Sequence, residues 1–483
     1  VKQRSPAVLT GVLVFITTVA AVVSSLGAPL IPSISRDLHT PLSTAQWSLT
    51  AALLTGAVSA PIMGRMGDGP RRRATLLVGL AVVTLGGVLS ALATTLPVLV
   101  AGRAMQGVGL GLVPLTMAAA RDHLPAPRVA PAVALLSVAA AAGVGLGYPV
   151  SGLIADVLGL SAAYWFGALV AGTALVATLA VVPRSSATTD APLDLAGALL
   201  LGLALVALLL GIAEGKTWGW SSPVIIGLFA GAIAGFAIWT RHQMRTATPL
   251  VELRLLRHPA VLTGDVCATV LGVAMYMFLS IVTEFVQTPS ATGYGFGASV
   301  VVAGLCLVPF SILSVSSARL LPWLGRTVGE RAILPLGCAV VAIAGAFFAL
   351  AHGALWEAFV TMSIVGVGMG LTFAAIPGMI VRAVPDHETG SAMGFYQVVR
   401  YVGFSLGSAL AASILAAHTP AGAHLPAIGG YTTTLWIAIA ICGVAGALAW
   451  FLPQRGARHA AAATHGEQDA ELGAAGLVGI DRP

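Results

Sequence analysis

Gly107-Val108-Gly109-Leu110-Gly111-Leu112 returns 259 residues later as Gly366-Val367-Gly368-Met369-Gly370-Leu371. A second pair keeps nearly the same offset: Gly143 and Gly147 match Gly403 and Gly407 across 260 residues. In a chain with 57 glycines a single match carries little weight, but two in one register indicate a duplication. Each phrase lies inside a long apolar run, where small residues let helix backbones approach closely. The chain therefore reads as two related helical halves with a segment inserted between them.

Composition sets the solvent in which those halves sit. Of 483 residues, 57% are apolar and 9% charged, with mean hydropathy +0.94. A soluble domain carries about 25% charged residues, so this chain cannot clothe a water-exposed surface. A soluble enzyme, a secreted disulfide scaffold and a disordered chain are all excluded. Long unbroken apolar runs, rather than short alternating segments, favour helices over a barrel. Runs broken by charge or proline place helices near 7–34, 42–63, 74–94, 97–120, 129–154, 160–182, 194–213 and 222–241. Six more fall near 259–285, 297–318, 332–351, 355–381, 389–416 and 431–452, fourteen in all. The first run is about twice as long as a secretory h-region and is expected to remain as a membrane helix.

The expected organisation is a six-helix bundle over 1–182, an inserted pair of helices and a linker over 183–258, a second bundle over 259–452, and a disordered cytoplasmic tail over 453–483. With the N-terminus inside, twenty basic residues fall on inward segments. Only Arg36 and Lys216 fall outward, and Arg103 and Arg400 lie within helices. Basic residues concentrate on the cytoplasmic side of membrane proteins, so both termini are expected there. The net charge of +6 is scattered between helices, without a basic face for nucleic acid. Cys267, Cys306, Cys338 and Cys442 sit in apolar segments and read as buried small hydrophobes. The ten histidines lie in loops, at helix ends or in the tail, so neither a metal nor a cofactor is expected. No phosphate-binding Gly-Lys-Ser/Thr loop points to ATP as a drive.

The loop after the second helix reads Gly64-Arg65-Met66-Gly67-Asp68-Gly69-Pro70-Arg71-Arg72-Arg73. It resembles the signature loop of the major facilitator superfamily, with Arg71 where a later glycine is usual. The resemblance implies a conformational gate built from Gly64, Asp68, Arg72 and Arg73. Arg103-Ala104-Met105-Gln106-Gly107 resembles the family's second motif, whose buried arginine is implicated in proton coupling. Gly143 to Gly152, with Gly147, Tyr148 and Pro149, is similar to the Gly-rich antiporter motif of drug exporters, although Tyr148 replaces a glycine. Fourteen helices, Pro249-Leu250-Val251-Glu252-Leu253-Arg254 and Arg400 after Gly390 complete a likeness to the fourteen-helix drug:proton antiporter branch. That branch usually carries an aspartate in helix one; Val23 stands in its place.

An antiporter needs a group that holds either proton or cargo, and a carboxyl in a low-dielectric cavity suits that task. Asp265 and Glu284 are the candidates, with Arg400 near mid-bilayer expected to pair with one of them in one state of the transport cycle; Glu357 lies close to a helix end and reads as solvated. Arg103 joins these as a proton-coupling residue. Gln106, Tyr276, Tyr396 and Gln397 are expected to line a cavity for amphipathic organic compounds. The expected protein is a proton-driven exporter of drugs, antibiotics or secondary metabolites, working as a monomer among membrane lipid. Arg outnumbers Lys by 22 to 2, which points to a bacterial cytoplasmic membrane. An uptake symporter of the same fold is the alternative that the missing helix-one aspartate leaves open.

Overall fold

The computed structural model describes residues 5–26, 30–185, 193–420 and 425–452, so the expected tail lies outside the described residues. Fourteen helices are long and apolar enough to cross a bilayer. They are α1 (Pro6–Ser25), α2 (Trp47–Gly67), α3 (Arg72–Ala91), α4 (Leu96–His123), α5 (Ala126–Leu158), α6 (Leu160–Val181) and α7 (Leu195–Trp218). Then follow α8 (Pro223–Arg245), α9 (Pro259–Gln287), α10 (Val300–Ala318), α11 (Glu330–Leu350), α12 (Leu355–Ala383), α13 (Thr389–Ala417) and α14 (Ile428–Phe451). Within the described residues the chain is helical throughout, because a backbone without water must satisfy its polar groups internally.

Local signals set the ends. The side chains of Ser5, Asp194, Ser222 and Ser299 each accept a first-turn amide, capping α1, α7, α8 and α10. Gly159, at φ +89°, supplies the reversal between α5 and α6 that a side chain would oppose. Among the differences from the sequence reading, three bear on the site. α1 stops at Ser25, and Ile31–Asp37 forms a separate short helix with Pro32 in its first turn. α7 runs to Trp218, five residues beyond the expected end, which draws Glu214 into a buried position. α4 tightens to a 3-10 turn over Val108–Gly111, inside the repeated glycine phrase.

The duplication is visible in what each glycine touches. A Cβ on Gly107 would strike the Ala52 backbone of α2, and one on Gly366 would strike Phe310 of α10. Likewise Gly143 and Gly147 lie against Thr18 and Val22 of α1, whereas Gly403 and Gly407 lie against Thr269 and Val273 of α9. So α4 rests on α2 as α12 rests on α10, and α5 on α1 as α13 on α9. The two six-helix halves meet along two seams. In one, α5 lies along α10: Ser311 Oγ donates to the Ala142 carbonyl at 2.8 Å, and Gly304 sits against Pro149. In the other, α2 crosses α13 through Gly64, Gly390 and Gly394.

The inserted hairpin stands beside the second seam. Leu201 and Leu205 of α7 pack with Ala60 of α2 and Val398 of α13. The strap that follows α8 is tied in as well: Gln243 Oε1 accepts the Leu250 amide at 2.9 Å, and Ser391 Oγ donates to the Leu250 carbonyl at 3.1 Å. This gives the Pro249–Glu252 stretch a structural task, holding the hairpin against both halves.

Overpacking a tight contact costs about 1–3 kcal/mol. Gly403→Val therefore lowers the unfolding temperature, whereas Gly443→Ala, whose new methyl meets nothing within 4 Å, leaves it unchanged. The four buried cysteines report this directly, through the temperature at which they react with a maleimide dye.

Candidate functional site

At the end where α2, α4 and α12 finish and α13 begins, the halves are clasped by opposite charges. Asp68 follows the last residue of α2, and its two oxygens accept the first amides of α13: Gly390 at 2.5 Å and Ser391 at 2.8 Å. Arg121, in the last turn of α4, donates to the final carbonyls of α12, Val381 at 2.8 Å and Val384 at 2.9 Å, and to Thr389 Oγ1 at 2.6 Å. An anion thus meets a helix N-terminus and a cation a helix C-terminus, each the favourable pairing with the helix dipole. Arg65 adds an ion pair to Glu388 at 3.2 Å. Close crossing makes these contacts possible, since a Cβ on Gly64 would run into the Gly390 carbonyl. Burial pushes the Asp68 carboxyl up to about 7, against the pull of the two amides and with the neighbouring Glu388 adding to the rise.

The expected gate residues divide. Gly64 and Asp68 lie on the seam between halves. Arg72 does not: its guanidinium bonds the Gly67 carbonyl and pairs with Asp122 at 2.6 Å, so it braces one half. Arg73 likewise turns to the Leu179 carbonyl of α6 at 2.9 Å. Arg121, which the sequence reading did not include in the gate, carries a contact between the halves. Its signal in sequence was a lone basic residue in a last helical turn.

Deeper in the first half, Arg103 is fully buried. It donates to the Val23 and Ser24 carbonyls, both at 3.0 Å, to the Ser48 carbonyl at 3.3 Å and to Gln106 Oε1 at 2.7 Å. α1 ends at Ser25, and the guanidinium takes two carbonyls of its last turn. Backbone oxygen at Val23 thus does what a carboxylate there would otherwise do. Gln106 gives its Oε1 to this network and leaves its Nε2 without a partner.

Arg400, in α13, is also buried but differently held. Its guanidinium carbon lies 5.3 Å from the Tyr396 ring, 5.5 Å from Phe373, 5.6 Å from Phe404 and 5.8 Å from Tyr401. Its hydrogen bonds to Tyr396 Oη at 3.4 Å and Ser137 Oγ at 3.5 Å are long, the Tyr401 hydroxyl is a further partner, and Nε has none. Gln397 donates to Tyr401 Oη at 3.2 Å and leaves its own carbonyl oxygen unbonded. Tyr276 of α9 stacks on Phe404, with ring centres 4.6 Å apart.

The expected ion pair between Arg400 and an acid of α9 is absent among the described residues. The reason is axial distance. Gly272 is the α9 residue level with Arg400; at 1.5 Å per residue, Asp265 lies about 10 Å to one side and Glu284 about 18 Å to the other. Asp265 is 5% exposed, and its Oδ1 has no hydrogen-bond partner. Glu284 is exposed at the far end of α9, within electrostatic reach of Tyr294 and Tyr431. The expected antiporter motif forms the α5 surface of the first seam: Gly143 and Gly147 face α1, Pro149 meets Gly304, and Gly152 lies near Val301 at a looser point.

Known proteins with the same pattern are numerous. A model of the Major Facilitator Superfamily matches residues 13–408. An uncharacterized MFS-type transporter of Mycobacterium tuberculosis is 29% identical over 407 residues, covering 82% of this chain but only 58% of that protein's own length. The tetracenomycin C resistance and export protein of Streptomyces glaucescens is 26% identical, covering 82% of this chain and 75% of its own. Multidrug resistance protein Stp of Mycobacterium tuberculosis is also 26% identical, covering 85% and 75%. Among solved structures, the human organic anion transporter MFSD10 aligns with TM-score 0.64 over 92% of this chain and all of its own; at 15% identity that likeness speaks to the fold alone. The chain is a multi-pass membrane protein and belongs to the major facilitator superfamily.

Proposed function

We propose that this transporter is a proton-driven exporter of small amphipathic organic compounds in a bacterial cytoplasmic membrane, with its arginine-rich end in the cytoplasm. The observation that carries the reading is the clasp of Asp68 and Arg121 on the facing ends of α13 and α12. It closes one end of the seam by end-on electrostatics rather than by interlocked side chains. Such a closure can release when the halves rock, which alternating access requires. Relatives named for multidrug resistance and for tetracenomycin C export support outward transport. The chain spans little more than half the length of the first of its relatives, so direction rests on this reading and its test. In everted vesicles with an acidic lumen, adding transported dyes collapses the pH gradient; an uptake symporter would leave it intact and overturn the export reading.

Asp265 is the proposed proton-exchanging group, because it is a buried carboxyl with an unmet oxygen and no ion pair among the described residues. Arg103 holds α1, α2 and α4 together while the exchange occurs. Asp265→Asn is expected to reduce dye-driven proton release to the level of empty vesicles. Glu284→Gln, at the exposed end of α9, retains it. Equal activity of wild type and Asp265→Asn would remove Asp265 from the role.

The clasp carries its own pH dependence. A carboxyl whose pKa rises from an ordinary aqueous value to about 7 on burial takes up a proton as the seam closes, up to about one per closure. Protonation therefore favours the closed seam, and the closed population falls as pH rises through 7. Spin labels at Ala74 and His387 are expected to report shorter separations at pH 5.5 than at pH 8.5. In Asp68→Asn the difference disappears.

A further inference from the structure

The surroundings of Arg400 offer donors and no matching anion. The guanidinium is buried, its Nε is unbonded, and its contacts are hydroxyls alone: Tyr396 at 3.4 Å, Ser137 at 3.5 Å, and Tyr401. A guanidinium that meets a carboxylate does so at about 2.7–2.9 Å, so these contacts are placeholders for a stronger acceptor. Faces of Phe373, Tyr396, Tyr401 and Phe404 box the charge and partly offset its burial. They cannot neutralise it.

Two further hydroxyls stand close by. Tyr148 of α5 and Tyr276 of α9, one from each half, lie within electrostatic reach of each other, and Tyr276 within reach of Arg400. Both are half-buried, and neither hydroxyl has a hydrogen-bond partner among the described residues. Tyr148 occupies the position where the exporter motif usually has glycine, so the phenol is a feature of this chain. The stacked pair of Tyr276 and Phe404, 4.6 Å apart and inclined by 28°, presents a flat apolar wall beside the charge. A fixed cation, two free phenols and a flat wall complement a flat aromatic body carrying an acidic group.

We infer that Arg400 reads the charge of the cargo, and that the transporter selects aromatic organic anions, carboxylates or sulfonates, bound between Tyr148, Tyr276 and the boxed guanidinium. This deepens the export reading and rests on it for the word cargo, but binding tests it separately. The anion supplies the missing acceptor when it is present, and the aromatic box holds the guanidinium between loads. Asp265, about 10 Å away along α9, remains available for the proton.

Equilibrium binding to purified full-length protein at pH 7.5 uses three probes with one ring system: 1-naphthoate, 1-naphthamide and 1-naphthylmethylammonium. Wild type is expected to prefer the naphthoate over the amide by at least about tenfold, the worth of a charge-assisted hydrogen bond. Arg400→Gln collapses that ratio to near one, and Arg400→Lys, which keeps the charge but not the planar fork, restores part of it. The wild-type ratio needs no variant to fold, and the maleimide melt checks those that are used. Equal binding of the amide or the ammonium by wild type, no measurable naphthoate binding, or an unchanged ratio in a folded Arg400→Gln protein overturns the inference. Everted vesicles that export neutral or cationic dyes but no anion would sink it and leave the export reading standing. Vesicles that move nothing outward while the naphthoate preference persists would sink the export reading alone.

Discussion

A guanidinium taken into the middle of a helix bundle must be answered, because the hydrocarbon offers no water to do it. Among the described residues Arg103 and Arg400 are buried in the interior of spanning helices, and the two answers organise the site. Arg103 is answered mainly by backbone: the Val23 and Ser24 carbonyls of α1, with the Ser48 carbonyl of α2 and the Gln106 side-chain oxygen, surround the charge. Such a network ties three helices of one half into a unit. Arg400 is answered by aromatic faces and by hydroxyls too distant to bind it strongly. The first arrangement is complete and the second is not, which is why one reads as architecture and the other as a place for a ligand.

The seam between the halves follows the same economy of charge. Where α12 ends and α13 begins, one short connection presents both a negative and a positive helix end. Arg121 and Asp68 of the opposite half meet them in the matching order. Each such contact is worth about 0.3–2 kcal/mol depending on burial, enough together to hold a closed state without making it permanent. The strap at Leu250, bonded to Ser391 beside the clasp, places the inserted hairpin where movement of α13 would be felt.

Much of this was legible before any coordinates. The glycine phrases that disclosed the duplication are the points where paired helices touch backbone to backbone, so the repeat in sequence and the repeat in packing are one fact. Gly64 and Asp68 lie on the seam between the halves, and Arg103 is buried within the first half. Other expectations failed for reasons of direction and depth. Arg72 and Arg73 turn back into their own half because nearer acceptors, Asp122 and the Leu179 carbonyl, lie there. Asp265 and Glu284 share a helix with the level of Arg400, yet stand too far along its axis to reach it. Glu214 was passed over because α7 runs further than its apolar stretch alone indicated.

The sequence by itself determined the solvent, the number of spans, the duplicated halves and the family. These depend on hydrophobicity, charge placement and residue spacing along one helix, all of which are properties of the chain read in order. Only the tertiary structure decided which charges are satisfied. Whether a guanidinium finds a carbonyl, a carboxylate or a ring depends on helices that are remote in the chain, on where each one ends and on how far it is shifted along its neighbour. A displacement of two helical turns separates an ion pair from two lone charges, and no one-dimensional pattern records that shift.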